Sequence, residues 1–289
     1  MAVVRLATCI GVLAVAATAV GLLWSGGSSP ESVLSVRGQR VELYGEGLYR
    51  YDSVFKAAGN RGTDLVTLVV AVPLLWWAVQ RYRRGCVGGG LLLAGALTWF
   101  LYVYASLSLG AAYNELYLVH VALTSVSLWA LALTVRSVHL GDLPLRQATR
   151  LPARRLTALL VAAGMLTGLV WLEPVLTGLV SGGAPSMLLH GTTLVTEALD
   201  LAVVAPAAVV AGLLLHRARW QALLLAVPLL VLLLLLAPAI VSQTAFQLVA
   251  GWQFTVPELV GPVSGFALLG SAAAVLLVKT LVVLDAAAA

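Results

Sequence analysis

Apolar residues in this chain come in long runs rather than in strict alternation. A bilayer-crossing helix needs roughly 20 apolar residues. Eight stretches reach about that length: 3–24, 62–80, 86–108, 116–136, 156–180, 188–215, 220–242 and 260–284. The pattern predicts an all-α membrane protein, a bundle of about eight transmembrane helices, with residues 1–289 as one polytopic domain. Arg5 precedes the first run, as in a signal peptide. That run outlasts a usual signal core and encloses Ala17-Thr18-Ala19, so it is read as a retained helix.

Two polar segments interrupt the runs. An outer loop, about 25–61, opens with SGGSSP and alternates through VELYGEGLYRY, where Gly45 and Gly47 flank an expected turn between two short strands. It then reaches the second helix through DSVFKAAGNRG, read as a short helical or interfacial piece. The other segment, about 137–155, carries Pro144, Pro152 and a set of arginines, and reads as a basic cytoplasmic connection facing lipid headgroups.

Composition strengthens the membrane reading. The chain is 61% hydrophobic and 10% charged, against roughly 25% charged in a soluble domain, and its mean hydropathy is +1.00. Lipid is therefore the expected main partner. The net charge of +5 does not point to nucleic acid, because the arginines punctuate the ends of apolar runs instead of forming one basic face. With the N-terminus inside, twelve Lys/Arg side chains fall on the cytoplasmic side and five on the outer loop. That asymmetry predicts a multi-pass protein of the cell (inner) membrane, both termini cytoplasmic. The acids lean outward, with only Asp142 and Asp285 clearly cytoplasmic and Glu197 and Asp200 inside the sixth helix. Cys9 and Cys86 supply no disulfide framework and are read as free thiols.

Ionisable groups inside a membrane are costly and mark functional sites by default. On the sixth run His190, Thr193, Glu197 and Asp200 recur at spacings of 3, 4 and 3, which predicts one helical face. A rise of 1.5 Å per residue would put Asp200 roughly 15 Å below His190. Tyr117, His120, Thr124 and Ser127 repeat that spacing on the fourth run, Thr98, Tyr102 and Ser106 line the third, and Asp64 begins the second. If the faces converge, Asp64, Tyr102, His120, Thr124, His190, Thr193, Glu197 and Asp200 enclose a polar pocket opening outward. The plainer alternative is that the hydroxyls bond their own backbones, that Asp64 caps its helix, and that His120 is packed. Trp76, Trp77, Trp171 and Trp252 read as interfacial anchors. Neither HxxxH nor HExxH occurs, nor another standard ligand spacing, so no catalytic, metal or cofactor set is assigned.

A faint internal echo links TDLVTLVVAVP in the second helix with LDLAVVAP in the sixth. Some transporters contain parallel repeats. Matching aspartate to aspartate, however, leaves unequal spacings to proline, 64 to 73 against 200 to 206.

The segments GLYRYDSVFKAAGNRGTDLVTLVVAVPLLWW, LLLAGALTWFLYVYASLSLGAAYNELYLVHVALTSVSLWAL and TEALDLAVVAPAAVVAGLLL resemble a widespread group of bacterial polytopic membrane proteins. The resemblance covers much of residues 47–215 and implies one compact membrane module; the group has no established activity, so no substrate or catalytic residue is carried over. Three functions fit the residues. The first is a small-solute or ion transporter using Glu197 and Asp200, with Asp64 at the outer mouth. The second is a sensor or assembly partner using the outer loop. The third is a membrane-embedded lipid-modifying enzyme drawing on His190, Glu197 and Asp200.

Overall fold

A computed structural model describes residues 1–140 and 149–286. Among these, eight helices are long and apolar enough to cross a membrane: α1 (Ala2–Leu23), α2 (Val54–Arg83), α3 (Val87–Gly110), α4 (Tyr117–Ser137), α5 (Ala153–Val180), α6 (Val195–His216), α7 (Trp220–Val249) and α8 (Val256–Asp285). The middle of the basic connection, including Asp142, Pro144 and Arg146, lies outside the described residues.

The packing is paired. α1 lies on α2 and α5 on α6; α3 lies on α4 and α7 on α8. At the centre α3 meets α7 through Gly95, where a Cβ would strike the Val231 side chain. α2 leans on α7 through Gly62, which abuts the Gln243 backbone, while the start of α6 approaches the end of α3, with Val195 against Gly110. Small residues permit such close approach where lipid supplies no hydrophobic drive between helices. Trp99, Phe100 and Tyr104 fill the core from α3. α5, by contrast, buries only Leu156, Leu160, Ala163, Gly164 and Gly178.

The two ends of the bundle differ. At one end Arg81 pairs with Asp285, joining α2 to the last turn of α8. At the other, β1 (Ser32–Leu34) and β2 (Arg40–Glu42) form an antiparallel hairpin. Its turn uses Gly38 at φ +78°, not the expected pair Gly45 and Gly47. Those two glycines, also at positive φ, shape the following return, where Leu43 bridges Ser53. The side chain of Ser35 accepts from the Gln39 amide at 3.1 Å and so closes the earlier turn.

Two helix boundaries depart from the expected ones. α2 starts at Val54 instead of 62, because Ser53 caps it by accepting from the Lys56 amide. The DSVFKAAGNRG segment is thus largely continuous with the second helix, and the outer loop ends at its cap. α6 starts at Val195 instead of 188. Leu189 has φ +52°, a conformation a helix cannot continue through.

Both α2 and α6 contain a five-residue π segment, Thr67–Ala71 and Asp200–Val204. Each is followed two residues later by a proline, Pro73 and Pro206. A proline inside a helix lacks an N–H and crowds the carbonyl four residues back, here Val69 and Ala202, the middle residue of each π segment. The widened turn removes that conflict. Aligned on proline, TDLVTLVVAVP (63–73) matches TEALDLAVVAP (196–206) without a gap. Asp64 then corresponds to Glu197, and Thr67 to Asp200.

Candidate functional site

The polar residues fall into two groups on different faces of α3, set by Tyr102 and Tyr104, which are two residues apart. Two residues rotate a helix by about 200°.

The first group surrounds Asp64. Ten residues past the start of α2, roughly 15 Å along the axis, Asp64 is 2% exposed. Its Oδ2 accepts the Tyr49 hydroxyl at 2.8 Å. Gly21 of α1 covers it so closely that a Cβ there would run into the carboxylate. Tyr104 stands nearby on α3 and stacks on the His120 ring at 5.9 Å, both side chains buried. One turn inward from Asp64, Thr67 accepts the Trp99 indole N–H at 3.1 Å. Asp64 therefore neither begins its helix nor stands at an open mouth. A cavity of about 130 Å³ lined by Trp24, Tyr44, Tyr49 and Arg61 stops at the phenol that covers it.

The second group surrounds Asp200 at the start of the α6 π segment, 8% exposed. Its Oδ2 accepts the Trp171 indole N–H from α5 at 2.8 Å. The Tyr102 phenol of α3 interacts with the same carboxylate, and Glu197 lies one turn outward, close enough to act on both. This face of α6 is turned toward α3 and α5. Glu197 is half-buried and makes no hydrogen bond or ion pair among the described residues.

His190 and Thr193 do not continue that face. Both lie in the loop before α6, Thr193 exposed. His190 instead bonds the Tyr51 backbone and faces Lys56; burial, and secondarily that ammonium, lower its pKa. The expected four-residue stripe reduces to Glu197 and Asp200. On α4, Thr124 donates to the His120 carbonyl at 2.9 Å, as a hydroxyl in an apolar helix commonly does, and lies 3.3 Å from Ser108.

The hairpin end closes over the first group. Arg50 pairs with Glu115 and lies over the Trp24 and Tyr51 rings at 5.5 and 4.7 Å. The guanidinium holds the Glu115 carboxyl below its usual range. Asp52, 1% exposed, accepts the Ala112 amide at 3.0 Å through one oxygen. Burial pushes its pKa up to about 6 despite that bond and the charge of Lys56.

Tyr49 and Asp52 are the residues that sequence reasoning did not single out, and Trp171 was given another role. Trp171 was expected to anchor an interface; it is instead the donor to Asp200. The proline-anchored alignment marks positions 64, 67, 197 and 200 as a set but carries no signal for these three residues. No family model, curated protein or solved structure matches this chain.

Proposed function

We propose that this is a multi-pass membrane protein with both termini in the cytoplasm, and that it carries protons or small cations through its second half by way of Asp200 and Glu197. One observation carries the reading. Asp200 is a buried carboxylate at a π segment whose recorded partners, an indole and a phenol, are dipolar. Asp200 lies five residues into α6, and a buried carboxylate is costly in its ionised form unless it is paired, so a proton or a cation is the species that balances its charge. π segments inside α-helices recur at functional sites because they loosen the backbone and re-aim side chains. Glu197, one turn nearer the hairpin end and unpaired among the described residues, supplies a second acidic step on the route. The orientation rests on the twelve-to-five distribution of Lys and Arg.

In this reading Asp64 is a fastener, since its phenol partner and the α1 backbone leave it no room to exchange a ligand. The lipid-modifying alternative is less favoured, because His190 bonds the Tyr51 backbone away from Glu197 and Asp200. The sensor alternative draws on the outer loop, much of which is committed to internal bonds.

The test is flux in proteoliposomes with an internal pH dye and imposed proton or sodium gradients. Asp200→Asn should abolish the gradient-driven signal and Glu197→Gln should slow it about tenfold, while Tyr49→Phe leaves it within about twofold. Wild-type flux in both acid variants, or no flux above empty vesicles in the unmodified protein under either gradient, would reject the proposal.

A further inference from the structure

At the end that carries the Arg81–Asp285 pair lies a cavity of about 720 Å³, unrelated to either acidic group. It sits between the first turns of α1, the turn joining α2 to α3, and the chain leaving α4. Arg5 and Arg83 contribute its cationic groups and His139 an imidazole, and among the described residues no acidic side chain lines it. Val4, Val87 and Val138 make the rest of the wall apolar. Ligand pockets span roughly 300–1,000 Å³, so the volume suits a headgroup-sized molecule.

The charges in it are uncommitted. Asp285, the nearest helix-borne acid at this end, is already paired with Arg81. Arg83 is two residues further along α2, about 200° round the helix from Arg81, and cannot share that carboxylate. Among the described residues neither the Arg5 nor the Arg83 guanidinium makes an ion pair or hydrogen bond. Tyr82 and Ser137 join hydroxyls at 2.9 Å beside them, and His139 Nδ1 lies 3.1 Å from the Ser137 carbonyl, with no bond to Nε2 among the described residues. The first turn of α3 also borders the cavity, adding the positive end of a 24-residue helix.

We infer that this cavity binds a phosphate-bearing anion. Two guanidiniums suit phosphate by bidentate bonding, and basic pockets between transmembrane helices on the cytoplasmic side take anionic headgroups. The apolar part of the wall gives an acyl-bearing phosphate an additional contact that a free phosphate lacks. The inference does not depend on transport by Asp200.

Native mass spectrometry of the full chain, released from phosphatidylcholine micelles supplemented with cardiolipin, phosphatidylglycerol or inorganic phosphate, tests it. One anionic lipid should be retained per chain, and the Arg5→Gln/Arg83→Gln double variant should weaken retention about tenfold or more, since bonds to charged groups are the strong ones. Val4→Trp fills the cavity without changing charge and should weaken retention similarly, which covers a double variant that inserts poorly. Displacement of lipid by millimolar inorganic phosphate, with the same dependence on the arginines, would uphold the site and assign it to the free anion. Retention of phosphatidylcholine as strong as that of cardiolipin, or undiminished anion binding by Val4→Trp and the double variant, would overturn it.

Discussion

Residues 63–73 and 196–206 are the same device in two settings. Each places an acid, then a polar group one turn inward, then a π segment relieved against a proline. Around Asp64 everything closes: α1 presses Gly21 onto the carboxylate, Tyr49 reaches in from the outer loop, and Arg50–Glu115 fastens that loop to α4. At the matching Glu197 the acid is half-buried and without a bonded partner among the described residues, and α5 buries few of its residues. The difference lies in what precedes each helix. Residues 25–53 cover the first site, whereas only a short loop leads into α6. The same motif can thus serve as a fastener or as a half-buried acid without a bonded partner among the described residues, depending on the cover supplied by the chain before it.

The sharpest way to break this comparison is to overfill α1 and α5 in parallel. Gly21→Leu should destabilise by about 3 kcal/mol or more, the upper range for overpacking, because its side chain must enter the space of the Asp64 carboxylate. Gly168→Leu on α5, where a Cβ meets nothing within 4 Å, should change the melting temperature little. Equal losses in thermal unfolding would mean that the halves are equally closed.

Asp52 tests the cover itself. Its pKa is raised from the ordinary 3.8 to about 6 by burial, so the folded state holds the proton more tightly than the unfolded chain. Ionisation therefore weakens the fold progressively as pH climbs through about 4 to 6, by at most about 3 kcal/mol at full ionisation. Asp52→Asn retains an acceptor for the Ala112 amide and should raise the melting temperature at pH 8, with the gain disappearing near pH 4. A gain confined to acid pH would contradict the sign. His190, whose pKa is lowered, acts in the opposite sense, costing stability as pH falls below its ordinary value.

The smallest effect expected is also the most specific. Tyr49→Phe leaves Asp64 without its phenolic donor and should cost about 1–3 kcal/mol. Trp171→Phe should cost less, since Tyr102 still acts on Asp200, but should alter ion flux. If Tyr49→Phe impairs flux more than Trp171→Phe does, the assignment of roles is reversed.

Long apolar runs made the eight helices legible in the sequence, since hydrocarbon thickness dictates their length. The start of α2 was missed because VFKAAGNRG is polar on one face and its cap is a single serine. The start of α6 was missed because LLHGTT is apolar enough to pass for helix, while Leu189 breaks it through a backbone angle that composition does not encode. The repeat was visible but misregistered. Matching Asp to Asp obscured a substitution of Glu197 for Asp64, and only the geometry of the prolines aligns the two segments. Which acid is covered depends on Gly21 and Tyr49, residues distant in sequence, so spacing alone had no access to it.

Labelling by a hydrophobic carbodiimide, which modifies protonated carboxyls it can reach, measures this difference directly. In lipid nanodiscs, peptide mapping should find the adduct on Asp200 or Glu197, with Asp64 unmodified. Modification of Asp64 as fast as that of Asp200 and Glu197, or of Asp64 alone, would contradict the account.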